Sequence, residues 1–473
     1  MSGVLLWVAA MLAGVVLCLP LFVLLASYRR GTGIVYKDDY QPTVTVITPM
    51  FNEGASIRRT LASILNQDYP AEKVRIIVVD DCSTDDSYQH AVAALAGVPG
   101  AQVIRNPRNL GKRRSINRAV ALASTEIVVS VDSDVVVEPQ SLRQMIRCFS
   151  SDKVAAVGGR VAILNARDNW LTRMQEAKYY YSYFLIKRVE ARFRSVLCLS
   201  GCLTAYRRTV LEELLPVLEN RSMLGIEIKY GEDRYLTRMI VKAGYETIMN
   251  PHAVCRTTAP TSLSVYLSQQ LRWRRSNMVD YIGGLSHVWK GHPLVALYFF
   301  SLFAVILVYP ALLVSALLLG GFWSLMTFQV VAALLLGVAY RLHAYKDPHA
   351  SSWNAVPLGI VFPLTYGILT PLALLTLDAS SWETRGHQEP LPEAVPTAAP
   401  VMVSVTVPTS VATPALGVPV LASGSLAPVV SHALAAQPAL AGSTTMRLGK
   451  SSRGDFIAVA SAVGFAPDRK LSK

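Results

Sequence analysis

From Pro293 to Tyr340 the chain carries no charged residue. A helix rises about 1.5 Å per residue, so this block would reach roughly 70 Å, over twice a ~30 Å bilayer core. It reads as two apolar helices parted near Gly320-Gly321, and Arg341, His343 and Lys346 close it as a cytoplasmic end should. The whole chain of 473 residues is 52% hydrophobic and 16% charged. Soluble domains carry about a quarter charged residues, so the composition argues against a wholly soluble protein.

Val4 to Ser27 also lacks charge, and at roughly 36 Å it is long enough to cross. Arg29 and Arg30 follow this run instead of preceding it. That order favours an anchor over a cleaved signal and puts residue 30 onward in the cytosol. Trp353 to Leu377 holds Pro357, Pro363 and Pro371, and fits one kinked span, a re-entrant hairpin or two short helices. One span leaves Trp382 outside; a hairpin or a further crossing returns it to the cytosol. From Glu389 to Ala441 Pro, Ala, Val, Ser and Thr dominate without a period, which predicts a flexible tail running on to Lys473.

The formal charge of +13 suits a partner rich in phosphate or carboxylate, or an anionic membrane face. So apolar a chain argues against nucleic acid. Six cysteines, Cys18, Cys82, Cys148, Cys198, Cys202 and Cys255, show no zinc spacing and do not read as a disulfide framework.

Between the apolar segments, residues 43 to 290 read as a soluble α/β domain. Val44 to Thr48 is a strand and Asn52 to Asn66 a helix. Val74 to Val79 is a strand ending in Asp80-Asp81, and Ile127 to Val131 another ending in Asp132-Ser133-Asp134. Alternating strands and helices predict a parallel sheet, with ligands beyond the carboxyl ends of its strands. A lone Asp there commonly caps the next helix; four acids at two strand ends point to a site. Asp132-x-Asp134 suits a hard divalent cation that keeps positions for diphosphate oxygens. Gly231-Glu232-Asp233-Arg234 opens a helical run, where a carboxylate complements the helix dipole or acts as general base. Gln269-x-x-Arg272-Trp273 offers a guanidinium fork and a large ring, and equally an ordinary interfacial anchor.

Together these segments resemble glycosyltransferase family 2, and within it the processive, membrane-embedded polysaccharide synthases. The matching stretches are Thr48 to Glu53, Asp80 to Asp85, Gly111-Lys112-Arg113, Asp132 to Asp134, Ser200-Gly201 with Tyr206-Arg207-Arg208, Gly231 to Arg234, and Gln269 to Trp273. They stand in the family's order over residues 50 to 275. Trp382-Glu383-Thr384-Arg385 is similar to the W-G-T-R of hyaluronan synthases, and the resemblance favours that branch over chitin and chitooligosaccharide synthases. Two positions depart from the pattern. Cys82 replaces the usual glycine of D-D-G-S, and Cys202 the proline of S-G-P.

The resemblance implies an α/β fold, with a GT-A type cytosolic glycosyltransferase domain inserted between transmembrane helices and a disordered C-terminal tail. Residues 1–30 form the N-terminal transmembrane helix, 40–260 the GT-A domain and 261–292 interfacial helices with Q-x-x-R-W. Residues 293–386 form the C-terminal transmembrane region and 387–473 the low-complexity tail. It further implies a multi-pass plasma-membrane enzyme that transfers from UDP-sugar donors to a growing polysaccharide, with inversion, and exports the polymer: UDP-GlcNAc and UDP-glucuronate for a hyaluronan synthase, UDP-GlcNAc alone for the chitin or chitooligosaccharide alternative. Pro49, Glu53, Asp80, Asp81, Lys112 and Arg113 would hold the nucleotide side. Asp132 and Asp134 would hold Mg²⁺ or Mn²⁺ on the diphosphate, joined by Arg272 and Arg385. Asp233, with Glu232, would be the catalytic base. Ser200, Gly201, Gln269, Trp273 and Trp382 would face the acceptor. If the chain does not return to the cytosol, Trp382 and Arg385 are interface anchors.

Overall fold

A computed structural model of the protein describes residues 14, 19–26, 31, 33–219, 221–223, 225–318, 320–344 and 353–378. Of the first apolar run only α1 (Leu19–Ala26) is described in full; Trp382, Arg385 and the expected tail lie outside the described residues.

The strands are β1 (Val44–Met50), β2 (Val74–Asp80), β3 (Ala101–Arg105), β4 (Ile127–Val131), β5 (Val136–Val137), β6 (Val154–Ile163), β7 (Leu203–Arg207), β8 (Ser222–Met223), β9 (Ile226–Glu227) and β10 (Glu246–Thr257). Eight form one sheet in the order β3-β2-β1-β4-β7-β6-β10-β5, and β8 and β9 pair as a hairpin of their own. Every residue of β1 and β4 is buried, because helices cover both faces, and this explains their continuous apolar sequence. Each fully buried Val or Ile contributes roughly 1.5–3 kcal/mol. Pro49 is tolerated in β1 because pairing to β4 stops at Ile47, so no ladder donor is lost on that side.

The sheet is mixed, where alternating elements predicted a parallel one. β7 runs antiparallel to both β4 and β6. The reason is topological. Residues 164–202 leave and re-enter at the same end of the sheet, so β7 must run back across it. The expected helix from Asn52 to Asn66 is shorter as well: a 3₁₀ turn over Gly54–Ser56 precedes the helix Ile57–Leu65.

The remaining helices are α2 (Ile57–Leu65), α3 (Ser87–Leu95), α4 (Lys112–Leu122), α5 (Ser141–Ile146), α6 (Trp170–Tyr179), α7 (Lys187–Arg192), α8 (Arg208–Glu219), α9 (Glu232–Lys242), α10 (Leu263–Gly284), α11 (Pro293–Leu318), α12 (Phe322–Ala344) and α13 (Ala355–Leu375). A capping box starts α6: the Asn169 side chain accepts from Thr172 N while Thr172 Oγ1 accepts from Asn169 N. A π-helical segment, Tyr180–Ile186, continues it. Its widened turn presents rings to the apolar helices: Tyr180 meets the Tyr340 ring edge-on at 5.2 Å, and Tyr181 donates to the Leu336 carbonyl at 2.9 Å.

Three helices among the described residues are long and apolar enough to cross a membrane, within Pro293–Leu318, Phe322–Leu342 and Ala355–Leu375. The third is one continuous helix despite Pro363 and Pro371. It lies along α10, with Arg274 over the Tyr366 ring and Arg275 Nε donating to Thr376 Oγ1 at 3.0 Å. Its start packs on Leu171, Met174 and Tyr266. Just past its end, Tyr230 donates to the Leu377 carbonyl at 2.8 Å. Both ends therefore rest on the α/β domain.

Candidate active site

The site is assembled at the carboxyl ends of β1, β2 and β4, where parallel strands leave a crevice. At the end of β2, Asp80 is fully buried. Its carboxylate accepts from Ser83 N at 3.2 Å and from Ser83 Oγ, and pairs with Arg105 Nε at 3.1 Å. Burial raises its carboxyl above the usual range, against the Ser83 hydrogen bonds and the Arg105 charge. Asp81 accepts from Asn106 Nδ2, Leu110 N and Gly111 N at 2.7–2.8 Å. That fixes the loop which delivers Lys112. Glu53 accepts from Ser133 Oγ at 2.8 Å, tying the end of β1 to the Asp132–Asp134 turn.

Cys82 adopts φ +63°, the left-handed conformation that suits the usual glycine of this loop. An L-residue there costs about 1–2 kcal/mol. Cys82→Gly is therefore expected to raise the stability of the purified protein by about 1 kcal/mol, read as a higher thermal midpoint. An unchanged or lower midpoint would show that the thiol's contacts outweigh the strain.

Lys112, the first residue of α4, is the electrostatic centre. Its ammonium lies 2.6 Å from Asp132 and 3.3 Å from Glu232, which arrive from β4 and α9. Burial pushes the Asp132 carboxyl up; Lys112 opposes this, while Asp134 and Glu232 add to it. Burial acts the same way on Glu232, but Lys112, with Arg272 behind it, holds that carboxyl below its ordinary value. Asp134 accepts from Thr257 Oγ1 at 3.2 Å. Asp233 sits in the first turn of α9 and accepts from Gly201 N at 3.3 Å and Arg234 N at 2.8 Å. The Ser200-Gly201 turn, just before β7, thus touches the expected base.

On α10, Arg272 is near enough to act on the charges of Glu232 and Tyr179. Its Nε is buried without a hydrogen-bond partner among the described residues. An orphaned buried guanidinium N–H is costly and suits a bound anion. Trp273 lies 4.6 Å beneath the Lys178 ammonium. Arg113 is directed away, to the Ile228 carbonyl at 2.9 Å and Glu227 at 3.7 Å. Gln269 is only partly buried, whereas Gln270 is buried and accepts from Lys178 Nζ at 2.7 Å.

Lys178 is the residue that sequence reasoning missed. Burial, with Arg274 and Arg234 nearby, pushes its ammonium well below the ordinary lysine range. A single lysine at the head of the aromatic run Tyr179 to Phe184 was the available signal. Arg105 and Thr257 carried none.

Two strand-end acids, a bridging ammonium, a carboxylate at a helix start and a guanidinium unsatisfied among the described residues sit on a mixed α/β sheet of the GT-A type. Residues 42–276 match the family described as "Glycosyltransferase like family 2". An N-acetylglucosaminyltransferase of Sinorhizobium fredii is 31% identical over 75% of this chain and 86% of its own length. Another from Mesorhizobium japonicum is 36% identical over 50% of this chain. This chain spans 57% of that relative's length and 61% of a Rhizobium one. Among solved structures, a mannosyltransferase of Pyrobaculum calidifontis with GDP-Man and Mn²⁺ shares the fold, with a TM-score of 0.54 at 21% identity over 76% of this chain and 97% of its own. The chain belongs to glycosyltransferase family 2.

Proposed function

We propose that the protein is an inverting, processive N-acetylglucosaminyltransferase that builds a chitooligosaccharide-type chain from UDP-GlcNAc at the inner face of a membrane. The observation that carries the reading is the convergence of Lys112, Asp132, Glu232, Asp233 and Arg272 from four elements. The names of the relatives support a single GlcNAc donor. They favour it over the two-donor hyaluronan reading drawn from Trp382 to Arg385.

In this reading the acceptor hydroxyl attacks the anomeric carbon from the face opposite UDP. The carbon–oxygen bond to UDP breaks, its electron pair leaves with the diphosphate, and Asp233 takes the hydroxyl proton. Arg272 donates to the diphosphate with the N–H that has no partner among the described residues. The Trp273 ring stacks on the acceptor sugar. Asp80 and Asp81 shape the nucleotide loops through Ser83, Arg105 and Gly111, and Arg113 braces the β8–β9 hairpin through Glu227 and the adjoining Ile228 carbonyl. Leu377 lies against Tyr230, next to Gly231, so the chain just past α13 reaches the start of α9.

Among the described residues no group of three His, Cys, Asp or Glu gathers to hold a metal. The paired carboxylates of Asp132 and Asp134 would hold a Mg²⁺ or Mn²⁺ ion together with the donor's diphosphate. When bound, such an ion neutralises charge on the departing UDP.

Membranes containing the protein, given UDP-[³H]GlcNAc alone, are expected to form a chitinase-sensitive product that UDP-glucuronate does not increase. A product that requires both donors and yields to hyaluronidase would return the hyaluronan reading.

A further inference from the structure

The base-bearing helix and the phosphate-binding helix are joined by a buried contact away from the reacting groups. Along α10, Arg272, Ser276, Asp280 and Gly283 recur at spacings of four, four and three, so they form one stripe. Opposite them stand Gly231, Arg234 and Arg238, at the start and on one face of α9. Three matched contacts close the seam. Gly231 holds φ +70°, and a Cβ there would run into Ser276 Oγ. Arg238 Nε pairs with Asp280 Oδ1 at 3.0 Å. A Cβ on Gly283 would come within 2.6 Å of Arg238 Nη1, so the guanidinium lies flat on α10.

Asp280 is 5% exposed and faces three guanidiniums, those of Arg234, Arg238 and Arg221. Arg221 in turn donates to the Tyr230 and Gly231 carbonyls at 2.7 and 3.0 Å. It lies over the Tyr235 ring, as Arg238 does. This carboxylate thus offsets part of the positive charge that frames the Gly231–Arg234 turn, beside Glu232 acting on Arg221 and Asp233 acting on Arg234. Without it those cations repel one another at the point where α9 meets α10.

We infer that Asp280 is a positioning residue for glycosyl transfer: it fixes Asp233 on α9 in register with Arg272 on α10. The inference rests on the proposed reading of those two side chains. Positioning matters steeply, since a displacement of about 1 Å can cost about 100-fold in rate. Asp280 itself touches neither donor nor acceptor in this scheme.

The test measures donor turnover, donor KM and UDP binding for Asp280→Asn, Asp280→Glu and Asp233→Asn in membranes. Asp280→Asn is expected to lower kcat by about 10- to 100-fold, while donor KM and UDP affinity stay within about threefold. Asp280→Glu keeps the charge but lengthens the side chain by one methylene, and is expected to lose about fivefold or more in kcat. Full activity in Asp280→Glu would reduce Asp280 to charge balance and overturn the inference. So would equal losses in kcat and UDP affinity. If Asp280→Asn fails to accumulate in membranes, Asp280→Glu decides alone. Near-normal turnover in Asp233→Asn would instead defeat the base assignment, a result the Asp280 variants cannot mimic.

Discussion

Replacing Asp233 by Asn is expected to lower glycosyl transfer by about 10²- to 10⁴-fold, the usual contribution of a positioned base, while UDP still binds. The expectation follows from where Asp233 stands. Its backbone begins α9, and its carboxylate is held by Gly201 N and Arg234 N. They reach different oxygens, Gly201 N to Oδ2 and Arg234 N to Oδ1, so an Asn keeps one contact through its single oxygen and turns its amide NH2 to the other; the substitution removes proton acceptance with little change of size. In the proposed reading the nucleotide-binding groups lie elsewhere, on the loops after β2 and β3 and on α10, which is why UDP affinity should survive. Equilibrium binding of labelled UDP beside initial rates of sugar incorporation checks both halves. Near-normal turnover would return Asp233 to the role of a helix-start carboxylate that merely complements the dipole.

Asp134→Ala is expected to cost about 100-fold or more in turnover, because metal contacts supply several kcal/mol of charge stabilisation. The remaining activity should no longer respond to Mg²⁺ or Mn²⁺. Asp134 is fixed by Thr257 Oγ1 at the strand end, while its neighbour Asp132 is already engaged by Lys112. Loss of Asp134 therefore leaves no second carboxylate of the pair. Chelation of the wild-type protein should reproduce the deficit and leave the variant unchanged. A variant still stimulated by Mn²⁺ would remove Asp134 from the metal site.

Much of this site was legible in the chain itself. Buried strands announce themselves as β-branched runs, and the acids that end β2 and β4 follow them immediately. The apolar helices were equally plain. Their break falls where Leu318 ends one helix and Phe322 starts the next. Long-range pairings were not legible. Lys112 meets Glu232 across 120 residues of chain, and nothing local to either position encodes the other. The neighbouring glutamines show the same limit: Q-Q is symmetrical on paper, yet the helix turns Gln270 to Lys178 and leaves Gln269 only partly buried, its Oε1 without a partner among the described residues.

The sequence alone determined which segments avoid water, which strands are buried on both faces, and which acids stand at their ends, since these follow from composition and period along a few residues. Tertiary structure decided the reversed direction of β7, the close fit of Gly231 on Ser276, and the cluster of cations around Asp280. Those depend on where distant segments meet. Close packing and charge neutralisation act between side chains that share space, however far apart they stand in the chain.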